Sequence, residues 1–217
     1  MSARGAKRGG SSDRWLKRQA ADRFVKAARR KGYRSRAAFK LVALDDRFRL
    51  LRPGARVVDL GAAPGGWSQV AVERVRPEAG GGRVVGVDLQ PIEPVPGATF
   101  LAADVDAPGL PDRVLEALGG AADLVLSDMA APATGHAETD HLRTLALAEA
   151  AFGVARRILR PGGALIVKLR QGAGEPAFVA ALRARFGRVV RAKPPASRAE
   201  SAELYLVALD FAGPEEA

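Results

Sequence analysis

The 217-residue sequence predicts an α/β fold. The expected architecture is Rossmann-like, with a seven-stranded, mostly parallel sheet, an antiparallel edge strand and helices on both faces. Three observations carry this expectation. Short apolar runs alternate with helical stretches from about residue 56 to residue 186. The first five runs have few polar alternations, as strands covered on both faces do. The last two, 188–193 and 203–211, follow one another with no helical stretch between them, so they can pair antiparallel at one edge.

Each element has its own signal. Residues 1–12 combine Gly, Ser, Lys and Arg and are expected to be a disordered basic tail. Trp15, Ala20, Phe24 and Ala27/Ala28 recur at near-helical spacing, which predicts a helix from about residue 13 to 28, ended by Gly32. Ser35 can cap a second helix over 36–48, with Phe39, Val42 and Leu44 in its apolar stripe. Pro53-Gly54 separates this basic helical segment, 13–52, from the core domain, 53–217. Strands are expected at 56–60, 83–88, 99–101, 124–128, 164–169, 188–193 and 203–211. Helices are expected from Trp67 and over 112–118, 140–159 and 175–186, with Pro161-Gly162-Gly163 stopping the long one.

Composition excludes several function classes. With no cysteine there is no disulfide, thiol nucleophile or thiolate-bound metal, and two histidines argue against a histidine-rich metal site. No apolar run approaches the roughly 20 residues that span a bilayer, and the polar, basic N-terminus lacks a signal core. A cytoplasmic monomer without metal or membrane association is expected. The net charge of +10 is unevenly placed: residues 1–56 hold 18 Lys/Arg against 4 Asp/Glu, and the remainder is slightly acidic. A basic segment on a near-neutral domain points to a polyanionic partner such as nucleic acid.

The most informative stretch is Val57-Val58-Asp59-Leu60-Gly61-Ala62-Ala63-Pro64-Gly65-Gly66-Trp67, where the first strand passes to its helix. Ligands of open α/β sheets bind beyond the carboxyl ends of the strands. Gly65-Gly66-Trp67 lacks the Lys and hydroxyl of a P-loop, and Ala62-Ala63 replaces the second glycine of a dinucleotide fingerprint. An S-adenosylmethionine loop needs to cradle no pyrophosphate, and an acid at the strand end suits a cofactor with an amino group and a sulfonium. Asp88 closes the second strand, where a carboxylate can accept both ribose hydroxyls. Asp104 follows the third strand, and Asp128 ends the fourth near the methyl-donor end. One strand-end Asp is commonplace as a cap or turn former; four at one sheet edge are harder to dismiss. Lys168 ends an otherwise apolar fifth strand, a costly place for an ammonium unless it reaches a cleft or a partner. Asp128, on the strand expected beside it, is such a partner.

The sequence closely resembles the FtsJ-like ribosomal RNA large-subunit 2′-O-methyltransferases, the RlmE group. The matching segments are Arg34-Ser35-Arg36-Ala37-Ala38-Phe39-Lys40-Leu41 and Asp59 to Gln69. Ser127-Asp128-Met129-Ala130, Val167-Lys168, Gln171-Gly172, Ser197-Arg198 and Glu203-Leu204-Tyr205 complete the set. The resemblance implies a Rossmann-like S-adenosylmethionine-dependent methyltransferase fold. It implies a catalytic set of Lys40, Asp128, Lys168 and Glu203, and contacts to S-adenosyl-L-methionine at Gly65, Trp67, Asp88, Asp104 and Asp128. It also implies a uridine in the A-loop of 23S rRNA as target, within the large ribosomal subunit. The sequence departs from the family at Ala131-Pro132-Ala133-Thr134 and at Arg170, both near the expected substrate cleft.

A ribose 2′-hydroxyl is a poor nucleophile and a sulfonium methyl a strong electrophile. The enzyme mainly needs in-line positioning and somewhere for the proton to go. The expectation is that Lys168 steers and deprotonates the hydroxyl, Lys40 and Glu203 orient it, and Asp128 bridges to the cofactor. Taken alone, Lys40 reads as a solvated helix lysine and Glu203 as a surface acid. The basic stretch 14–36 is expected to grip phosphates, extended by Arg188, Arg191, Lys193 and Arg198. Trp15, Phe24 and Tyr33 suit core packing better than base stacking. The alternatives are a methyltransferase acting on tRNA or an mRNA cap and a non-catalytic RNA-binding assembly factor. A nicotinamide dehydrogenase is disfavoured by the missing glycine.

Overall fold

The computed structural model describes residues 22–198 and 201–214. The elements run α1 (Arg23–Lys31), α2 (Ala38–Phe48), β1 (Arg56–Leu60), α3 (Gly66–Val75), a single turn α4 (Pro77–Gly80), β2 (Arg83–Asp88) and β3 (Ala98–Ala102). They continue with α5 (Leu110–Leu118), β4 (Ala122–Ser127), α6 (Ala137–Ile158), β5 (Leu159–Arg170), α7 (Glu175–Arg183), β6 (Phe186–Ala192) and β7 (Glu203–Phe211).

The strands form one sheet in the order β3-β2-β1-β4-β5-β7-β6. The pairs among β3, β2, β1, β4 and β5 are parallel. β7 runs antiparallel to both β5 and β6. The reversed strand is therefore second from the edge, and the edge strand β6 pairs antiparallel with it. Strand alternation sends Val58, Val125, Leu165, Val167 and Leu206 into a core under α5, α6 and α7. Val57, Leu124, Ile166, Tyr205 and Val207 enter a second core under α2 and α3, filled by Leu41, Leu44, Trp67 and Val70. Both faces are covered, which is why the parallel strands tolerate so little polarity.

Local differences from expectation have identifiable causes. The expected tail, 1–12, and Trp15 lie outside the described residues, as does most of the helix expected over 13–28. What is described begins afresh at Asp22, whose extended backbone and side chain cap α1 by accepting the Phe24 N–H. α1 then continues past Ala28 to Lys31 and ends on left-handed Gly32, at φ +75°. Ser35 does not cap α2: the cap position is Ala37, with no side-chain hydrogen bond. Pro161-Gly162-Gly163 does not separate α6 from β5. The strand begins at Leu159, pairs with Ala122, and resumes pairing at Ala164 with Leu124, so residues 160–163 bulge out, with 160–162 exposed and Gly163 buried.

Candidate active site

The register delivers the site. Ser127 pairs with Val167, so Asp128 and Lys168 follow side by side at the carboxyl ends of adjacent strands. Lys168 pairs in turn with Tyr205, and Arg170 with Glu203. Directly opposed residues, and those two apart on a strand, share a face. Lys168, Tyr205 and Glu203 therefore all face the α2–α3 layer, and α2 places Lys40 above them.

Lys168 Nζ donates to the Asp128 backbone carbonyl at 2.6 Å and lies 3.0 Å from Asp128 Oδ1. Its side chain is only 5% exposed, so this charge is compensated by geometry rather than by water. Lys40 Nζ stands between the two acids, 3.8 Å from Asp128 Oδ1 and 3.7 Å from Glu203 Oε2. The four residues that the family resemblance singles out thus converge in one cluster, although they come from α2, the β4 end, β5 and β7. A fifth joins them that sequence reasoning gave no role. The buried Tyr205 hydroxyl donates to Asp128 Oδ1 at 2.6 Å. Burial, then the neighbouring Asp128 charge, pushes this phenol well above its ordinary value, so it stays a donor. Its ring packs 5.7 Å from Trp67, and Lys40 Nζ lies 5.6 Å from its centroid.

Asp128 stands between two cavities. A cleft of about 650 Å³ is lined by Gly61, Pro64, Asp88, Asp104, Asp128 and Met129 among others. A cavity of about 70 Å³ beside it is lined by Lys168, Glu203, Arg170, Asp140 and the 130–133 segment. In the larger cleft Asp88 is held by two backbone N–H groups, Ala63 to Oδ2 at 2.9 Å and Gln90 to Oδ1 at 2.8 Å. Asp104 Oδ1 accepts the Asp106 N–H at 3.1 Å. Gly61 has φ +74°, and a Cβ there would overlap Met129, so the wall at this point must be bare backbone.

Two of the expected cofactor contacts do not line that cleft. Gly65, at φ +107°, forms the N-cap of α3, and its N–H donates to the Ala62 carbonyl at 2.6 Å. Trp67 is 3% exposed, and its indole N–H donates to the Ala37 carbonyl at 2.7 Å, so the ring joins α2 to α3. Asp59 lies beneath the turn, sealed from solvent. One oxygen accepts the Ser68 hydroxyl at 2.7 Å and the other has no protein partner. Burial first, with Asp128 and Asp88 adding repulsion, raises its carboxyl to about 7 against the counteracting Ser68 bond.

Much of the expected basic surface is engaged internally. Arg36 binds Asp22 and the Ala196 carbonyl. Arg191 Nε donates to Glu175 at 2.5 Å, and Lys193 to the Ser201 carbonyl at 2.8 Å. Arg188 lines a separate cavity with Arg52, Asp123 and Arg160, at the opposite end of the sheet. Arg23, Lys26, Arg29 and Arg30 on α1 are exposed. Phe24 and Tyr33 pack against Phe39 with ring centroids 5.7 and 5.6 Å away, so both serve the core. The departure segment 131–134 is tied down by Asp140, which accepts from the Thr134 N–H and hydroxyl, each at 2.7 Å. These bonds, led by the Thr134 N–H, lower the Asp140 carboxyl below its ordinary range.

Residues 33–211 match the family model described as FtsJ-like methyltransferase. The chain is 56% identical over 209 residues to ribosomal RNA large subunit methyltransferase E of Paramagnetospirillum magneticum, covering 95% of this chain and 85% of that one. It is 52% identical over 217 residues to the protein of the same name from Parvibaculum lavamentivorans, covering 97% and 85%. Among solved structures it is similar to one described as a ribosomal RNA methyltransferase from Plasmodium falciparum. The TM-score is 0.74 at 29% identity, over 83% of this chain and 100% of that chain. The sheet order, the cleft at the strand ends and a family match across most of the sequence agree: the chain belongs to the FtsJ-like methyltransferase family.

Proposed function

We propose that this protein transfers a methyl group from S-adenosyl-L-methionine to a ribose 2′-hydroxyl of RNA. The substrate we infer is a uridine of the 23S rRNA A-loop in the large ribosomal subunit, met in the cytoplasm. The observation that carries the chemistry is the Lys168–Asp128 pair, placed where the larger cleft meets the smaller cavity. The names of the relatives support ribosomal RNA as the substrate class.

The cleft fits the cofactor by the chemistry of its donors. It offers carboxylates at three strand ends and an exposed glycine backbone, matching ribose hydroxyls, an amino group and a cationic sulfonium. Asp88 is suited to the ribose hydroxyls, its orientation fixed by the Ala63 and Gln90 amides. Asp104 is suited to the adenine amino group, and Asp128 faces the donor end. With the Trp67 ring buried, a contact from Gly65 or Trp67 falls to the backbone at the start of α3. The cofactor supplies an electrophilic methyl group when bound.

The protein's own residues supply position and a proton path. Lys168 holds the incoming hydroxyl and takes its proton once its ammonium has released one to solvent. The Asp128 carbonyl and carboxylate keep Nζ within one narrow region. Lys40 and Glu203 flank this point and hold the ribose and neighbouring phosphate in register. The buried setting excludes water that would compete as a hydrogen-bond partner.

The test is mass-spectrometric mapping of ribose methylation in rRNA from a strain lacking this gene. One A-loop methyl group is expected to disappear, to return with the wild-type gene, and to stay absent with Lys168→Ala. Isolated large subunits and tRNA, offered to the purified protein, separate the substrate classes. Near-wild-type single-turnover methylation by Lys168→Ala with bound RNA would remove Lys168 from the chemistry.

A further inference from the structure

Arg34 sits in the turn between α1 and α2, inside the basic stretch expected to grip phosphates, yet its guanidinium is committed to backbone carbonyls of the protein. Nη1 donates to the Pro64 carbonyl at 3.0 Å and the Glu93 carbonyl at 2.5 Å, and Nη2 donates to the Pro94 carbonyl at 2.8 Å. These acceptors belong to two different loops. Pro64 lies in the β1–α3 turn and lines one side of the larger cleft. Residues 89–91, which line it from the β2–β3 connection, lead directly to Glu93 and Pro94. One side chain therefore joins the two loops.

The Arg34 backbone is anchored as firmly as its head. Its N–H donates to Gln69 Oε1 at 2.9 Å, and Gln69 Nε2 donates to the Gly32 carbonyl at 2.9 Å, fastening the turn to α3. The packing is close. A Cβ on Gly65 would stand 2.8 Å from Arg34 Nη1 and 3.4 Å from Ile92, and one on Gly66 would stand 2.5 Å from Ser35 Oγ. A planar fork with five donors can serve three carbonyls in fixed directions, whereas an ammonium is a single compact point.

We propose that Arg34 is a positioning residue for the cofactor pocket, a staple across its two loops that sets cofactor affinity, and not a ligand of RNA phosphate. This rests on the reading that the larger cleft holds S-adenosylmethionine. Loops held in the binding conformation beforehand spend less binding energy on ordering. Releasing them weakens binding without removing any group that touches the cofactor.

The experiment compares wild type, Arg34→Ala and Arg34→Lys, as full-length protein. Calorimetry reads S-adenosylmethionine affinity, filter binding reads rRNA affinity, and steady-state kinetics reads KM for the cofactor. Both variants are expected to weaken cofactor binding about tenfold or more. The defect falls on KM for the cofactor and is relieved by raising its concentration, while rRNA affinity stays within about twofold. Amide exchange in 62–66 and 89–96 is expected to quicken in cofactor-free Arg34→Lys, which keeps the readout if Arg34→Ala folds poorly. Arg34→Lys with wild-type cofactor affinity and unchanged exchange overturns the staple, as does an rRNA defect in Arg34→Ala that lysine restores. Absence of cofactor binding by wild type itself would instead overturn the function on which the staple rests.

Discussion

Asp59 has a carboxylate sealed under α3 with one hydrogen bond for its two oxygens, and the fold holds its titration near 7 instead of 3.8. The sign follows from proton counting. Between about pH 4 and 7 the folded chain keeps a proton that the unfolded chain has released. This contribution is fully present below pH 4 and is lost as pH rises to 7, at about 1.4 kcal/mol per unit. Asp59→Asn removes the titration, so its stability relative to wild type should grow by about 2–3 kcal/mol from pH 5 to pH 8. Urea denaturation at the two pH values measures this, and parallel changes in both proteins would show that Asp59 ionises normally. At Tyr205 the issue is a donor. Its hydroxyl shares Asp128 Oδ1 with Lys168, and because burial holds it protonated, Asp128 keeps one fixed donor whatever Lys168 does. Tyr205→Phe removes a bond to a charged group worth about 1.5–3 kcal/mol, which should lower kcat about tenfold or more while leaving cofactor affinity unchanged. A variant of undiminished kcat would make Tyr205 a packing residue only. No local signal in the sequence reveals this role. An aromatic inside an apolar strand reads as core, and only the register that sets it opposite Lys168 shows where the hydroxyl points.

The elements differ in how well sequence announced them. β1, β2, β4, β7 and the 164–169 part of β5 were legible because burial on both faces demands apolar runs. Boundaries set by a single capping group were not. Asp22 could equally have sat inside a helix, and the 160–163 bulge follows from β5 pairing with β4 on both sides of it, a tertiary fact. The Lys168 strand end was legible as a costly charge, whereas Lys40 and Glu203 needed the family pattern, since each alone resembles a solvated residue. α1 has the same ambiguity in its basic residues. Arg34 and Arg36 nearby are held by internal partners, so among the described residues of the basic stretch 14–36 the exposed α1 arginines are the ones presented toward a phosphate. Replacing Arg29 and Arg30 with Ala should weaken rRNA binding and reduce the slope of log affinity against log salt by about 1.5. Cofactor affinity should not change. A filter-binding salt titration with an unchanged slope would place the RNA elsewhere.

On the scale of the whole molecule, the chain lays β1, β2 and β3 outward in one direction and then returns to place β4 on the other side of β1. The loops after β1 and β4 leave the sheet in opposite directions and open a crevice between them, the usual ligand position in such sheets. The larger cleft lies there, and Asp128, the first residue after β4, lines it and binds Lys168. β7 then enters antiparallel between β5 and β6, which brings Glu203 and Tyr205 to the same end of the sheet. The parallel strands point their carboxyl ends there, and β7 reaches it with its amino end. The reversal therefore completes the cluster of Lys40, Asp128, Lys168, Glu203 and Tyr205 as well as extending the sheet. It was legible as antiparallel pairing, but the order of the last two strands was not, because the residues between them have no preference for either side. On the proposed function, a cofactor bound in the crevice would cross-link two halves of the sheet, so its binding should register in global stability. At a concentration 100 times its Kd, S-adenosylmethionine should add about 2.7 kcal/mol. For a chain of this length that raises Tm by about 5–10 °C. A melting curve unmoved by millimolar cofactor would mean that the crevice is not its site.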